Sequence, residues 1–359
     1  MRGRACKGRK KKLVWYTRYG AITVQEQRYR VGRNGVEVRP FAVAAGVQCR
    51  GYSLPFQRVL VDFGAEASFG RAAERVREHY GIAVPTSAVR RATESHGARL
   101  QQQQEGERVS ALGPEPGVAV LITEMDGSLI PVVATGTPGS RDKRKERQLH
   151  WVEARLCLAR EPGQVSARYG VCVGSVAAAG AVWLDCASRA GAGTQTQLHG
   201  VGDGAEWIAG QMAAQFGEQG QYLCDFYHVS EYLSAAAGAA GREWLHWAQR
   251  RLKENDVAAV LADLRERREP TSVADEAAPV RRCVRYLENR RTQLDYAGAL
   301  RAGLPIGSGE IESGHRSVIQ ERLKLSGAWW AEENARKMLA LRVTRTNGEW
   351  HSYWQQQGT

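Results

Sequence analysis

Residues 118–128, "VAVLITEMDGS", constrain the fold more than any other stretch of the chain. An apolar run with β-branched residues, closed by acids and a glycine, is the pattern of a strand buried on both faces, with Asp126 at its C-terminal tip. Such a strand needs a covering layer on either side, and so a sheet-based fold. Downstream, "LIPVVAT", the basic loop "GSRDKRKERQ" and "LHWVEARLCLAR" read as strands of an antiparallel meander. "TQLHGVGDGAEWIAGQMAAQFG" then reads as a strand, a glycine turn at Asp203 and a helix. "GQYLCDFYHVSEYL" repeats that plan, with Asp225 and His228 after its short strand. Strands first antiparallel and then alternating with helices predict a mixed α/β sheet flanked by helices. From 229 to about 300 the chain is rich in Ala, Arg and Glu without strand pattern, which predicts an all-α insertion.

The N-terminal part follows different rules. Residues 1–12, "MRGRACKGRKKK", hold seven basic residues and no acid, and are expected to form a disordered arm that touches phosphates weakly. "LVWYTRYGAITVQEQRYRV" alternates apolar and polar residues around a glycine, the pattern of a hairpin. Between 56 and 98 the periodicity is helical. Ser68 is expected to cap one helix and Gly81 to end it, and Thr86 after Pro85 to cap a second. Two helices joined by the short "YGIAVPT" give a helix-turn-helix outline, which is either a plain packing unit or a DNA-binding pair whose second member exposes Arg90 and Arg91 to a DNA groove or backbone. "QQQQEGERVSALGPEPG" reads as a polar linker. The expected layout is a basic tail and hairpin over 1–55 and a helix-turn-helix-like region over 56–112. The first part of the core follows over 113–235, the insertion over 236–300, and a core-completing helix with the C-terminal tail over 301–359.

A net charge of +12 points to a polyanionic partner. No run of 18 apolar residues exists, so no membrane partner is expected. Basic residues at the N-terminus lack an apolar segment behind them, which argues against a secretory signal. The seven cysteines are scattered without a C-x-x-C pair, which speaks against a disulfide framework or a structural zinc site and fits a reducing cytosol.

Three strand ends therefore carry acids, at Asp126, Asp203 and Asp225. In open α/β sheets, sites gather at such ends. Glu312 opens a later helix after "GSG" and can complete a carboxylate cluster there. The cluster would repel itself unless cations neutralised it. Carboxylates suit Mg²⁺ or Mn²⁺, and two such ions between acids favour in-line phosphoryl transfer. On a helix, Glu312, Arg316 and Gln320 share a stripe, so a plain Glu312–Arg316 ion pair is the simpler reading. The sharper one sends Arg316, Arg322 and Lys324 to DNA phosphates, with Glu310 left as a solvated first-turn acid. Trp329 and Trp330 are expected in a core, with stacking on an unpaired base as the alternative.

"VGDGAEWI", "CDFYHVSEYL" and "LPIGSGEIESGHRSVIQERLKLSGAWW" resemble motifs of insertion-sequence transposases of the Kra type, across roughly residues 50–350. The resemblance implies an RNase H-like core with a DDE triad and a helical insertion before the last acid. It also implies DNA strand transfer with two divalent ions and no covalent intermediate. Asp126 matches the first acid and Glu312 the last. For the second, Asp203 is preferred and Asp225 is the rival; His228 would contact the scissile phosphate, orient an acid or serve the structure alone. Implied partners are transposon-end DNA, target DNA and further copies of the chain in a dimer or larger assembly. The implied setting is the cytoplasm, at the nucleoid of a bacterium. Two alternatives stay open: an RNase H-like structure-selective nuclease, and a DNA-binding repressor with a decayed catalytic core.

Overall fold

The computed structural model describes residues 5–31, 37–45, 51–135 and 147–358. Two compact units share the chain. The first comprises residues 1–107, 130–152 and 318–359, and the second residues 108–129 and 153–317.

In the first unit, β1 (Ala5–Lys7) pairs antiparallel with β4 (Tyr29–Val31), which pairs with β5 (Glu37–Val38). Between them β2 (Lys11–Thr17) and β3 (Gly20–Glu26) form the expected hairpin, closed by Arg18 and Tyr19. Residues 5–7 and 11–12, expected in a disordered arm, are in strands, 5–7 paired with Tyr29–Val31 and 11–12 with Gln25 and Glu26. Residues 1–4 of that arm and residues 136–146, which include most of the basic loop, lie outside the described residues.

A helical group follows: α1 (Pro40–Ala44), α2 (Leu54–Glu66), α3 (Phe69–Tyr80) and α4 (Thr86–Gly106). Ser68 caps α3 by accepting from the Arg71 N–H, and Gly81 ends it at φ +65°, a conformation favoured by glycine. Thr86 does not cap α4. Pro85 holds the N-cap position and lacks a side-chain acceptor, so Thr86 is already the first helical residue. Ala88, Val89, Ala92, Thr93, His96, Gly97 and Leu100 make the buried stripe of α4. This stripe meets the late helix Glu332–Thr346, and a Cβ at Gly97 would lie 2.6 Å from the Lys337 carbonyl oxygen. The second member of the helix pair is therefore a long core helix with an exposed side.

The second unit is built on a five-stranded mixed sheet. Its strands are β6 (Val120–Thr135), β7 (Arg147–Arg160), β8 (Arg168–Val173), β9 (Gln197–Gly202) and β10 (Gly220–Cys224), in the order β10-β9-β6-β7-β8. The early residues of β6 and the late residues of β7 belong to this unit. β7 and β8 are antiparallel, whereas β6, β9 and β10 are parallel. One face of the sheet carries α5 (Val176–Arg189) and α6 (Glu206–Phe216), with Leu121, Met125, Leu198, Trp183 and Phe216 in their common core. Thr123 points into the same layer, accepts from the Trp183 indole and donates to the Leu158 carbonyl.

After β10 come helices α7 (Phe226–Ala237), α8 (Gly241–Lys253), α9 (Val257–Glu266), α10 (Pro279–Asn289) and α11 (Tyr296–Arg301), around a second core that includes Leu233, Leu252, Leu264, Leu287 and Tyr296. The short helix α12 (Gly309–Gly314) runs directly into a π-helical turn, His315–Gln320. Helices α13 (Glu321–Leu323), α14 (Glu332–Thr346) and α15 (Trp350–Gln356) complete the first unit. Among the described residues no helix is long and apolar enough to cross a membrane.

Candidate functional site

The pairing register decides how the acids stand. Glu124 on β6 pairs with Val201 on β9, and Gly202 pairs with Cys224 on β10. Continuing that register places Asp126 of β6 at the same level as Asp203 and Asp225, which directly follow the last residues of β9 and β10. Asp126 is not at a strand tip, as expected from the sequence. β6 continues to Thr135, and Asp126 lies two residues beyond Glu124, the last residue of β6 paired with β9. By alternation, Ile122, Glu124 and Asp126 share the sheet face opposite Leu121, Thr123 and Met125.

That second face is covered by residues 305–315, and the "GSG" motif explains how. The His199 ring Nε2 contacts the Pro305 carbonyl oxygen at 2.8 Å, and the Phe226 N–H donates to Ile306. Ser308 donates through its N–H (2.6 Å) and its hydroxyl (2.5 Å) to Asp225 Oδ2, while Oδ1 caps α7 by accepting from Tyr227 and His228. At Gly307 a Cβ would lie 2.7 Å from the Tyr227 ring. Asp225, 5 % exposed, thus spends both oxygens on holding the loop. His228 stands apart, its ring against Tyr232 and Tyr286 and its Nδ1 3.6 Å from Glu231.

Glu124, which sequence reasoning passed over, is the most unusual acid here. It is 1 % exposed and its Oε2 accepts the Ile311 N–H at 2.8 Å. Burial pushes its carboxyl up to about 8, a shift to which the charges of Glu310 and Asp225 add, while the Ile311 hydrogen bond and Arg160 oppose it. The available signal was an acid inside an apolar run, in phase with Ile122 and Asp126. Glu310 is not a free solvated acid. Arg160 on β7 donates its Nε–H to both carboxylate oxygens, at 3.0 and 2.7 Å, and that bond raises the Arg160 pKa.

His315, one residue beyond α12, is 3 % exposed, and among the described residues neither ring nitrogen makes a hydrogen bond. Its Nε2 lies 3.2 Å from Asp126 Oδ2, close enough for an ionic contact if protonated. Asp203 is half-buried and turns Oδ1 back to its own loop, accepting from the Ala205 N–H at 2.8 Å. Glu312 is exposed, and among the described residues it makes no ion pair with Arg316. Hard oxygen donors of this kind suit Mg²⁺ or Mn²⁺. Yet no group of three or more His, Cys, Asp or Glu side chains is spaced to hold a metal ion among the described residues. The expected three-carboxylate cage of Asp126, Asp203 and Glu312 is not closed in this arrangement. Asp126 faces His315, Asp203 is drawn to its own turn, and Glu312 faces solvent.

The expected DNA contacts divide by burial. Arg90, Arg316 and Lys324 are exposed; Arg90 lies 4.0 Å from Glu94. Arg91 is half-buried. Arg322 is a correction: only 2 % exposed, it donates to the Gly64 carbonyl and lies between the Phe69 and Trp330 rings, so its charge serves the core. Trp330 is buried as expected, whereas Trp329 is 54 % exposed. Charge is unevenly shared. The first unit holds 31 Lys and Arg against 15 Asp and Glu, a net of +16; the second holds 19 against 23, a net of −4.

Fold and site together define an α/β protein with aspartates level at one sheet edge and a short acid-bearing helix laid along that edge. The chain belongs to the uncharacterised protein family UPF0236, whose sequence profile matches residues 52–357. No curated protein matches it.

Proposed function

We propose that this chain is a DNA transposase with an RNase H-like core, joining the ends of an insertion sequence to target DNA. One observation carries the reading: Asp126 of β6 and Asp203, directly after β9, fall at the same level of the register of two adjacent parallel strands, and the helix that bears Glu312 is bonded to β6. The strand order supports it as well, a meander extended beside its first strand by two parallel strands that alternate with helices. So does the separation of a strongly basic unit, suited to phosphates, from an acidic one. When bound, a divalent cation such as Mg²⁺ or Mn²⁺ would activate the attacking hydroxyl and neutralise charge on the leaving oxygen. Asp126, Asp203 and Glu312 are the residues assigned to hold it. Asp225 is assigned to the loop instead, since both its oxygens are already taken.

The test is strand transfer by the purified chain on oligonucleotides carrying the terminal sequences of its own element. Joined product is expected with Mg²⁺ or Mn²⁺ and absent with EDTA. Glu312→Gln should lose joining while end binding survives. Cleavage without joining would favour a structure-selective nuclease. A second reading, a DNA-binding protein without catalysis, is favoured by the open arrangement of the three acids. It requires that Asp126→Ala, Asp203→Ala and Glu312→Ala leave DNA binding and every phenotype unchanged.

A further inference from the structure

We propose that Glu124 is a positioning residue that, together with His315, clips α12 along β6 and so sets where Glu312 stands. The catalytic consequence rests on the function proposed above; the clip itself does not. α12 is the first part of a helical run that continues through the π-helical turn, and the place of its first turn against the sheet is decided by its ties. Three are visible. Glu310 is held by Arg160 of β7, the Ile311 N–H by Glu124 of β6, and His315 lies against Asp126 of the same strand.

The spacings match. From 311 to 315 a helix rises about 6 Å, and from 124 to 126 a strand rises about 6.6 Å. The two therefore run side by side in the same direction, with the first contact one helical turn from the second. The Ile311 N–H points along the helix axis, so its bond to Glu124 fixes how far along β6 the first turn lies. Ile311 and His315, one turn apart, are both buried and His315 lies against Asp126, which leaves Glu312, about 100° round from Ile311, on the exposed side. The π-helical turn begins at His315, the last point of the clip, and such turns frequently mark functional sites. Glu124 earns this assignment by its partner: a carboxyl buried in a central strand is costly, and the only hydrogen bond recorded for it among the described residues is to the helix backbone.

The experiment uses the full chain without metal for structure and with Mg²⁺ for activity. Hydrogen exchange at residues 309–315 is compared in wild type, Glu124→Gln, Glu124→Leu and His315→Leu. Glutamine keeps an acceptor for the Ile311 N–H, so it should retain protection and turnover within about 3-fold. Leucine at 124 should speed exchange on α12 by at least about 10-fold and lower kcat for strand transfer on the order of 100-fold, with KM for end DNA unchanged. His315→Leu approaches the clip from its other end and should free the same helix, which keeps the test decisive if Glu124→Leu fails to fold. Unchanged protection of α12 in both leucine variants would overturn the proposal, as would equal loss of turnover in Glu124→Gln and Glu124→Leu. Should wild type join no DNA while the leucine variants still release α12, the clip stands and the transposase reading falls.

Discussion

The two units put their buried polar groups to different use. In the first, cations crowd the sequence, and buried His96 and Arg342 tie helices to one another within the core. His96 is fully buried between the Tyr353 hydroxyl, 2.7 Å from Nδ1, and the Gln57 amide oxygen, 3.0 Å from Nε2. Arg342, 6 % exposed, is neutralised by Glu66 and bonded to the Ala65 carbonyl. In the second unit the buried acids Glu124 and Asp225 secure a loop and a short helix, while Asp203 and Glu312 retain oxygens that nothing described takes up. Polar groups that join helix to helix serve a scaffold. An edge that leaves acid oxygens over is where chemistry has room.

The largest effect that would sharpen this contrast is catalytic. Asp126→Asn should lower strand transfer on the order of 10³-fold, and Glu312→Gln likewise, with binding of end DNA within about 3-fold of wild type. Equal losses in binding, read by gel shift, would erase the division between the units. Next comes salt. If the first unit carries the phosphate contacts, raising salt from 50 to 200 mM should weaken DNA binding by about 10²- to 10³-fold. Arg90→Glu should flatten that slope. Arg322→Ala should leave the slope alone and lower Tm instead, because its charge is buried.

His96 gives a pH test confined to the first unit. Burial, with a smaller contribution from Arg99, pushes its titration down to about 3, whereas an unfolded histidine titrates near 6.5. Between those values the unfolded chain binds the extra proton. Stability therefore rises with pH across that window and is lost as pH falls. Urea unfolding at pH 7 and pH 4 should show a loss of about 3 kcal/mol from this residue. In His96→Gln the drop should be smaller by that amount. The smallest effect concerns Asp225. Asp225→Asn should cost about 1–3 kcal/mol in stability through a weakened cap and loop contact, with kcat reduced far less than by Asp203→Asn.

Much of the second unit could be read from its residues, because strand periodicity and glycine turns are local signals. The strands bearing Asp203 and Asp225 end where "VGDG" and "LCDF" indicate. What escaped was decided by tertiary contact. Thr86 lost its capping role to the position of Pro85, and Arg322 was drawn into an aromatic core. Glu124 looked like an interruption in an apolar run, since its partner is a backbone N–H 187 residues away. The use of "GSG" as the loop that Asp225 grips likewise depends on a contact across 83 residues. The level register of the three aspartates follows from strand pairing, which no single stretch of sequence encodes.

Anomalous diffraction from crystals of the full chain with end DNA and Mn²⁺ tests the central claim most directly. The account predicts a manganese peak within coordination distance of Asp126, Asp203 and Glu312, lost in Glu312→Gln crystals. Bound DNA with no manganese at that edge, or manganese held by other residues, would contradict it.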